Sequence, residues 1–171
     1  TEAVDKQFLQ KQFNEKDGVL VKCDPVQVFC GNNTANGNPD LKWMGADSAN
    51  YYNSYDVKSD HGWGELMELI EKINFDFDNL GDILNIDRVL WAFAVNSAIL
   101  NLDTYNGYYV HNYYLYRTED GLFQMIPWDF DNSFAGEILG RDLFDAMAVS
   151  NYDTYGNQFV PNERHLLKTL W

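Results

Sequence analysis

Four oxygen-bearing side chains, Asp103, Asn112, Asp129 and Asp131, fall inside one stretch, residues 101–136: NLDTYNGYYVHNYYLYRTEDGLFQMIPWDFDNSFAG. Three are carboxylates, ionised at neutral pH and so able to accept a proton or hold a cation. With the amide of Asn112 they make a set of hard oxygen donors. That chemistry suits a hard divalent cation, such as Mg²⁺ holding phosphates. Plainer roles use the same residue types: Asp103 as a helix or turn cap, and Asp129 and Asp131 closing a turn after a strand.

Those residues need elements that gather 103, 112 and 129 at one place. Residues 113–117 (YYLYR) and 122–128 (LFQMIPW) are aromatic or apolar runs with Glu119-Asp120-Gly121 between them. Asp-Gly between two apolar runs predicts a hairpin. Its ladder carries Asn112 in on one arm and Asp129 out on the other, at the same end. Upstream, residues 87–100 (DRVLWAFAVNSAIL) are apolar nearly all round and predict a buried central helix. Asp87 near its start complements the helix dipole. Asp103 then stands at the mouth of that helix. Acid, amide, strand, turn, strand, acid is the order of the catalytic half of a protein kinase. There the amide and second acid hold metal ions against the phosphates. Such a site has little covalent chemistry to perform and depends on rigid placement. His111 reads as a hydrogen-bonded loop residue that positions Asn112. Trp128 and the tyrosine-rich strand read as core rather than a sugar-stacking platform.

Three motifs carry a family resemblance: Asn101-Leu102-Asp103, then His111-Asn112-Tyr113-Tyr114-Leu115-Tyr116, then Ile126-Pro127-Trp128-Asp129-Phe130-Asp131 with Phe134. In that order and wording the chain resembles the CotH family, kinases named for spore coat protein H that have a divergent protein-kinase-like fold. Weaker matches lie at Glu2-Ala3-Val4-Asp5 with Phe8-Leu9, at residues 18–22, and at Leu166-Leu167. The resemblance implies Asp103 as catalytic acid or base and Asn112 and Asp129 as metal ligands. Asp129-Phe130-Asp131 stands where kinases have Asp-Phe-Gly, which leaves Asp131 as the second carboxylate of the metal set. It further implies ATP and Mg²⁺ as cofactors, and γ-phosphate transfer to a Ser or Thr hydroxyl of a coat or surface protein. The setting it implies is extracellular, at the cell surface or in a spore coat.

The fold class implied is α+β, a mainly helical C-terminal lobe of a protein-kinase-like fold with a short β-hairpin carrying the active site. Residues 1–171 are expected to be mostly that lobe, truncated at both ends, with the nucleotide-clamping lobe and its basic phosphate contact preceding Thr1. Lys22 and Lys58 read as solvated surface lysines rather than substitutes for that contact. The loop between Asp103 and His111, TYNGYYV, is longer than usual for the family and contains Gly107. A second class of function is a non-catalytic adhesion or structural module of the cell surface that keeps the fold without turnover. A third is carbohydrate binding by the exposed part of residues 105–116.

The rest of the chain supplies a core and a charge. An apolar fraction of 46% and an aromatic fraction of 16% in 171 residues support one domain with a sizeable core. A formal charge of −14 leaves nothing to replace the counterions of a nucleic acid, so that partner is excluded. No run is long and apolar enough to span a bilayer. Helices are predicted over 4–13, with Val4, Phe8 and Leu9 on one face and a turn at Asp17-Gly18, and over 64–74, with Leu66, Leu69, Ile70 and Ile73 inward. Strands are predicted over 19–23 and 55–58, a loop over 24–40, and further helices over 142–149 and 162–171. Cys23 and Cys30 are the only cysteines. Their isolation in a secreted-looking chain favours a local disulfide over two buried thiols.

Overall fold

Alternation with a period of two, repeated on three strands, builds the centre of the molecule. The computed structural model describes residues 2–25, 27–28, 35–107 and 110–135. Strands β1 (Val19–Cys23), β4 (Tyr55–Val57), β5 (Tyr113–Arg117) and β6 (Phe123–Pro127) form one antiparallel sheet in the order β4-β1-β5-β6. Two short strands, β2 (Gln27–Val28) and β3 (Ala35–Asn36), pair separately. Val19, Val21, Cys23, Tyr113, Leu115, Phe123 and Met125 face one core cluster. Leu20, Tyr114, Tyr116 and Ile126, the residues between them, face another. Successive side chains of a strand point to opposite faces, so both faces of this sheet are apolar and both must be covered.

Helices cover them. On the first face lies α2 (Trp63–Phe75), which buries Leu66, Leu69, Ile70 and Ile73 as its spacing predicts. With it lies α3 (Ile86–Ala98), which buries Val89, Ala92 and Phe93. Burying each such side chain contributes about 1.5–3 kcal/mol. On the second face, α1 (Lys6–Phe13) packs Leu9, with Val4, Phe8 and Phe13 beside it. Asp5 caps α1 by accepting from the backbone N–H groups of Gln7 and Phe8, each at 2.9 Å. The helix stops at Asn14, which takes the left-handed conformation at φ 59°. That is three residues before the predicted turn at Asp17-Gly18; Asn adopts this conformation more readily than most residues.

The α+β class holds, but the element carrying the site is larger than expected. The hairpin of β5 and β6 is not a short appendage of a helical lobe; β1 pairs with β5 along its whole length, Val19 opposite Arg117 and Cys23 opposite Tyr113. An isolated two-stranded hairpin is marginal in water, and a third strand plus helical cover stabilises it. Tyr113, Tyr114 and Tyr116 are buried, so the tyrosine-rich strand is core.

The helix α3 departs from its expected burial. It is not apolar on all sides for the sake of a surrounding core: Leu90, Trp91 and Val95 are exposed, Trp91 by 64%. What it buries is one stripe against β6. It is also held there by polar bonds, from Arg88 Nε to the Met125 carbonyl at 3.2 Å and from Asn85 Nδ2 to Gln124 Oε1 at 2.9 Å. Lys22 departs as well. It is not a solvated lysine: its ammonium sits 2.5 Å from Asp24 and 4.9 Å over the Trp128 ring. Lys58 is half exposed and paired with Asp56.

Cys23 is a buried free thiol. Burial pushes its pKa well up, outweighing a hydrogen bond with Tyr113. Cys30 and the predicted helices 142–149 and 162–171 lie outside the described residues. Among the described residues no helix is long and apolar enough to cross a membrane.

Candidate functional site

The hairpin register decides where Asn112 and Asp129 stand. Arg117 pairs with Phe123 at the closed end and Tyr113 with Pro127 at the open one. The turn between is fastened by Thr118 and Leu122 and by Gly121 at φ 92°, a conformation glycine adopts without strain. The Trp128 N–H donates to the Asn112 carbonyl at 3.0 Å and extends the ladder one step. Asn112 therefore enters, and Asp129 leaves, at one end of the hairpin. Both have φ 56°. Non-glycine residues in that region are uncommon, and Asn and Asp are the types that tolerate it.

Asp103 arrives from α3 through a loop wound on amide side chains. Leu100, at φ 51°, turns the chain out of the helix, and the Asn101 N–H returns to the Asn96 carbonyl at 2.8 Å. The buried Asn96 accepts from Asn101 Nδ2 at 3.1 Å and donates to Thr104 Oγ1 at 3.2 Å. Asn101 Oδ1 in turn accepts from the Asp103 N–H at 3.1 Å. The loop contains a tight turn in which the Gly107 N–H bonds the Thr104 carbonyl at 3.0 Å. A Cβ on Gly107 would lie 2.2 Å from the Leu102 carbonyl oxygen, so only glycine fits.

The Asp103 carboxylate is buried among donors. His111 Nε2 lies 2.8 Å from Oδ1. Asn112 Nδ2 donates to Oδ2 at 3.0 Å, and Asn132 Nδ2 donates to the same oxygen at 2.9 Å. Asn112 also reaches the Asp103 carbonyl at 3.2 Å. Burial by itself would raise the carboxyl pKa. The hydrogen bonds from His111, Asn132 and Asn112 and the His111 charge outweigh it and hold the group below its ordinary value. Asp103 is thus a fixed, ionised carboxylate. Asp129 is half buried at the hairpin end, and Asp131 is exposed in the loop that follows. That loop folds back on itself through Ser133, which bonds the Phe130 carbonyl, and returns to α3 where the Phe134 N–H meets the Ile99 carbonyl at 2.6 Å.

The structure brings Asp103 and Asn112 into direct contact and has Asp129 follow Trp128, the residue bonded to the Asn112 carbonyl. Sequence reasoning missed Asn132 and Asn96 and gave His111 a different task. The signal for Asn96 was present: one amide inside an apolar helix must be satisfied if buried. For Asn132 no pattern in the sequence marked it. Among the described residues no three His, Cys, Asp or Glu side chains converge as a metal site. A cation here would draw on mixed oxygen donors, carboxylate and amide. The buried Asn132 Oδ1, which has no hydrogen-bond partner, is a donor of that kind.

A sheet covered on both faces by helices, with an ionised acid fixed against an amide at a hairpin end, defines an α+β domain with a polar, oxygen-rich site. The family described as CotH kinase protein matches residues 1–171, and the chain belongs to it. Inner spore coat protein H of Bacillus subtilis (strain 168) is 40% identical over 73 residues, which span 42% of this chain and 19% of that protein. No solved structure matches.

Proposed function

We propose that the chain is the substrate-positioning, metal-binding lobe of an atypical protein kinase, one that transfers the ATP γ-phosphate to a protein Ser or Thr hydroxyl with Mg²⁺ as cofactor. One observation carries the reading: the Asp103 carboxylate is held by His111, Asn112 and Asn132 at the hairpin end from which Asp129 leaves. In this reading Asp103 orients the acceptor hydroxyl and takes up its proton. Asn112 and Asp129 hold the cation, with Asp131 as the further carboxylate. Bound Mg²⁺ would neutralise charge on the phosphates. The sheet and the amide network hold Asp103 and Asn112 in fixed positions, the rigid placement on which such chemistry depends.

The protein-kinase-like character of the fold is part of the proposal and is supported by the family's description. The name of the Bacillus subtilis relative supports a spore-coat setting, and with it a coat or surface protein as acceptor. The test is phosphate incorporation from labelled ATP into a protein acceptor by the full-length protein in Mg²⁺, compared with Asp103→Asn. Label transferred by the wild type and lost in the variant is expected. No transfer by the wild type would favour a non-catalytic surface module, the reading that the exposed Leu90, Trp91 and Val95 of α3 support.

A further inference from the structure

Two buried amide oxygens among the described residues have no hydrogen-bond partner, those of Asn106 and Asn132. Asn106 belongs to the scaffold: its Nδ2 reaches the Phe93 carbonyl at 3.3 Å and Ser97 Oγ at 3.2 Å, binding the loop to α3. Asn132 is different, because its Nδ2 donates to Asp103 Oδ2 at 2.9 Å. A carboxylate accepts and never donates when ionised, so it fixes which end of the amide faces it. The NH₂ points at Asp103 and the oxygen points elsewhere. Asn112 is arranged in the same way, Nδ2 on the same oxygen of Asp103 at 3.0 Å. Two amides thus share one carboxylate oxygen through their nitrogens. A buried acceptor left without a partner is rare in folded proteins and is completed by an ordered water, an ion or a bound group.

We propose that Asn132 Oδ1 is a ligand of the divalent cation, alongside Asp129 and Asn112; the assignment rests on the metal reading given above. An amide suits both tasks: its nitrogen donates to the ionised Asp103 at 2.9 Å, which a carboxylate cannot do, and its oxygen is left to a second partner. No three acidic, His or Cys side chains converge among the described residues, so the proposed set is one of carboxylate and amide oxygens. Mg²⁺ and Mn²⁺ both accept such octahedral oxygen sets and retain waters in the remaining positions. Asn132 then joins the two parts of the site, its nitrogen orienting Asp103 and its oxygen touching the metal.

The experiment is titration of the full-length protein with Mn²⁺ alone, without nucleotide, free Mn²⁺ being read by electron paramagnetic resonance. Asn132→Ala removes both the donor and the oxygen, and should weaken Mn²⁺ binding at least about tenfold. Asn132→Asp removes the donor to Asp103 but keeps an oxygen ligand, and should bind Mn²⁺ as well as the wild type or better. Asn132→Ser replaces the alanine variant if thermal melting shows that it has not folded. Equal weakening in the alanine and aspartate variants would mean that the amide only positions Asp103, and would overturn the proposal. So would unchanged affinity in both, or no Mn²⁺ bound by the wild type. An Asn132 oxygen that instead accepts from the substrate hydroxyl would raise the acceptor KM and leave Mn²⁺ affinity intact, which also overturns it. Because no nucleotide is present, the expected Mn²⁺ pattern without any phosphate transfer would end the kinase reading while leaving the ligand assignment standing.

Discussion

His111 Nε2 and Asp103 Oδ1 are 2.8 Å apart, joining the two ends of the loop that runs from α3 to β5. One side of that contact follows the helix and the other precedes the strand, so together with the two Asn112–Asp103 bonds it sets the spacing between the two halves of the site. The Asp103 carboxylate is ionised, so the bond is charge-assisted. His111→Ala should therefore lower stability by about 1.5–3 kcal/mol, the range for hydrogen bonds to charged groups. His111→Gln, which keeps a donor, should recover part of it. Urea denaturation of the two variants checks this; equal midpoints for wild type and alanine variant would show that the contact does not hold the loop.

Asp103→Asn keeps the size of the side chain and removes its charge. Turnover should fall by at least about a hundredfold, the lower end of what a positioned acid or base supplies. Affinity for Mg-ATP should stay unchanged, since the loss is confined to the transition state. Single-turnover kinetics with a calorimetric measurement of ATP binding separates the two.

On the proposed metal site, Asp129→Asn should lower Mg-ATP affinity and turnover together, because the variant would lose a charged ligand. Asn112→Ala should do the same more mildly, an amide bringing no charge to the metal. Asp131→Asn is the control, being exposed. If it costs more affinity than Asp129→Asn, the second carboxylate of the pair is the ligand.

Asn96→Leu fills the helix position with an apolar side chain but strands Asn101 Nδ2 and Thr104 Oγ1. Each buried group left unsatisfied costs about 1–3 kcal/mol. The variant should unfold at lower urea concentration and show faster hydrogen exchange in residues 101–107. An unchanged midpoint would mean that the loop does not depend on this network.

Trp91 and Phe93 lie two residues apart on α3 but on different sides of it. Trp91→Ser should change stability by no more than about 0.5 kcal/mol, as at an exposed site. Phe93→Ala should cost about 3–5 kcal/mol. Thermal melts of both distinguish a one-sided helix from one buried all round; a large loss in Trp91→Ser would return α3 to the buried role its composition suggests.

The sequence by itself determined the hairpin, because Asp120-Gly121 between two apolar runs is a local signal. It determined α2 and the inward stripe Leu66, Leu69, Ile70 and Ile73, because a helical period is written in a dozen consecutive residues. It also placed Asn112 and Asp129 at one end, since a hairpin register fixes both arms at once. Only the tertiary structure decided that β1 joins β5, a pairing between residues 19–23 and 113–117 for which no local pattern exists. It likewise decided which side of α3 is buried, because an apolar helix does not say what lies against it. The cage around Asp103 belongs to the same class. His111 and Asn112 from one chain segment and Asn132 from another converge on the Asp103 carboxylate. Convergence of that kind is a property of distance in space, which the order of residues along the chain leaves open until the sheet and helices close around it.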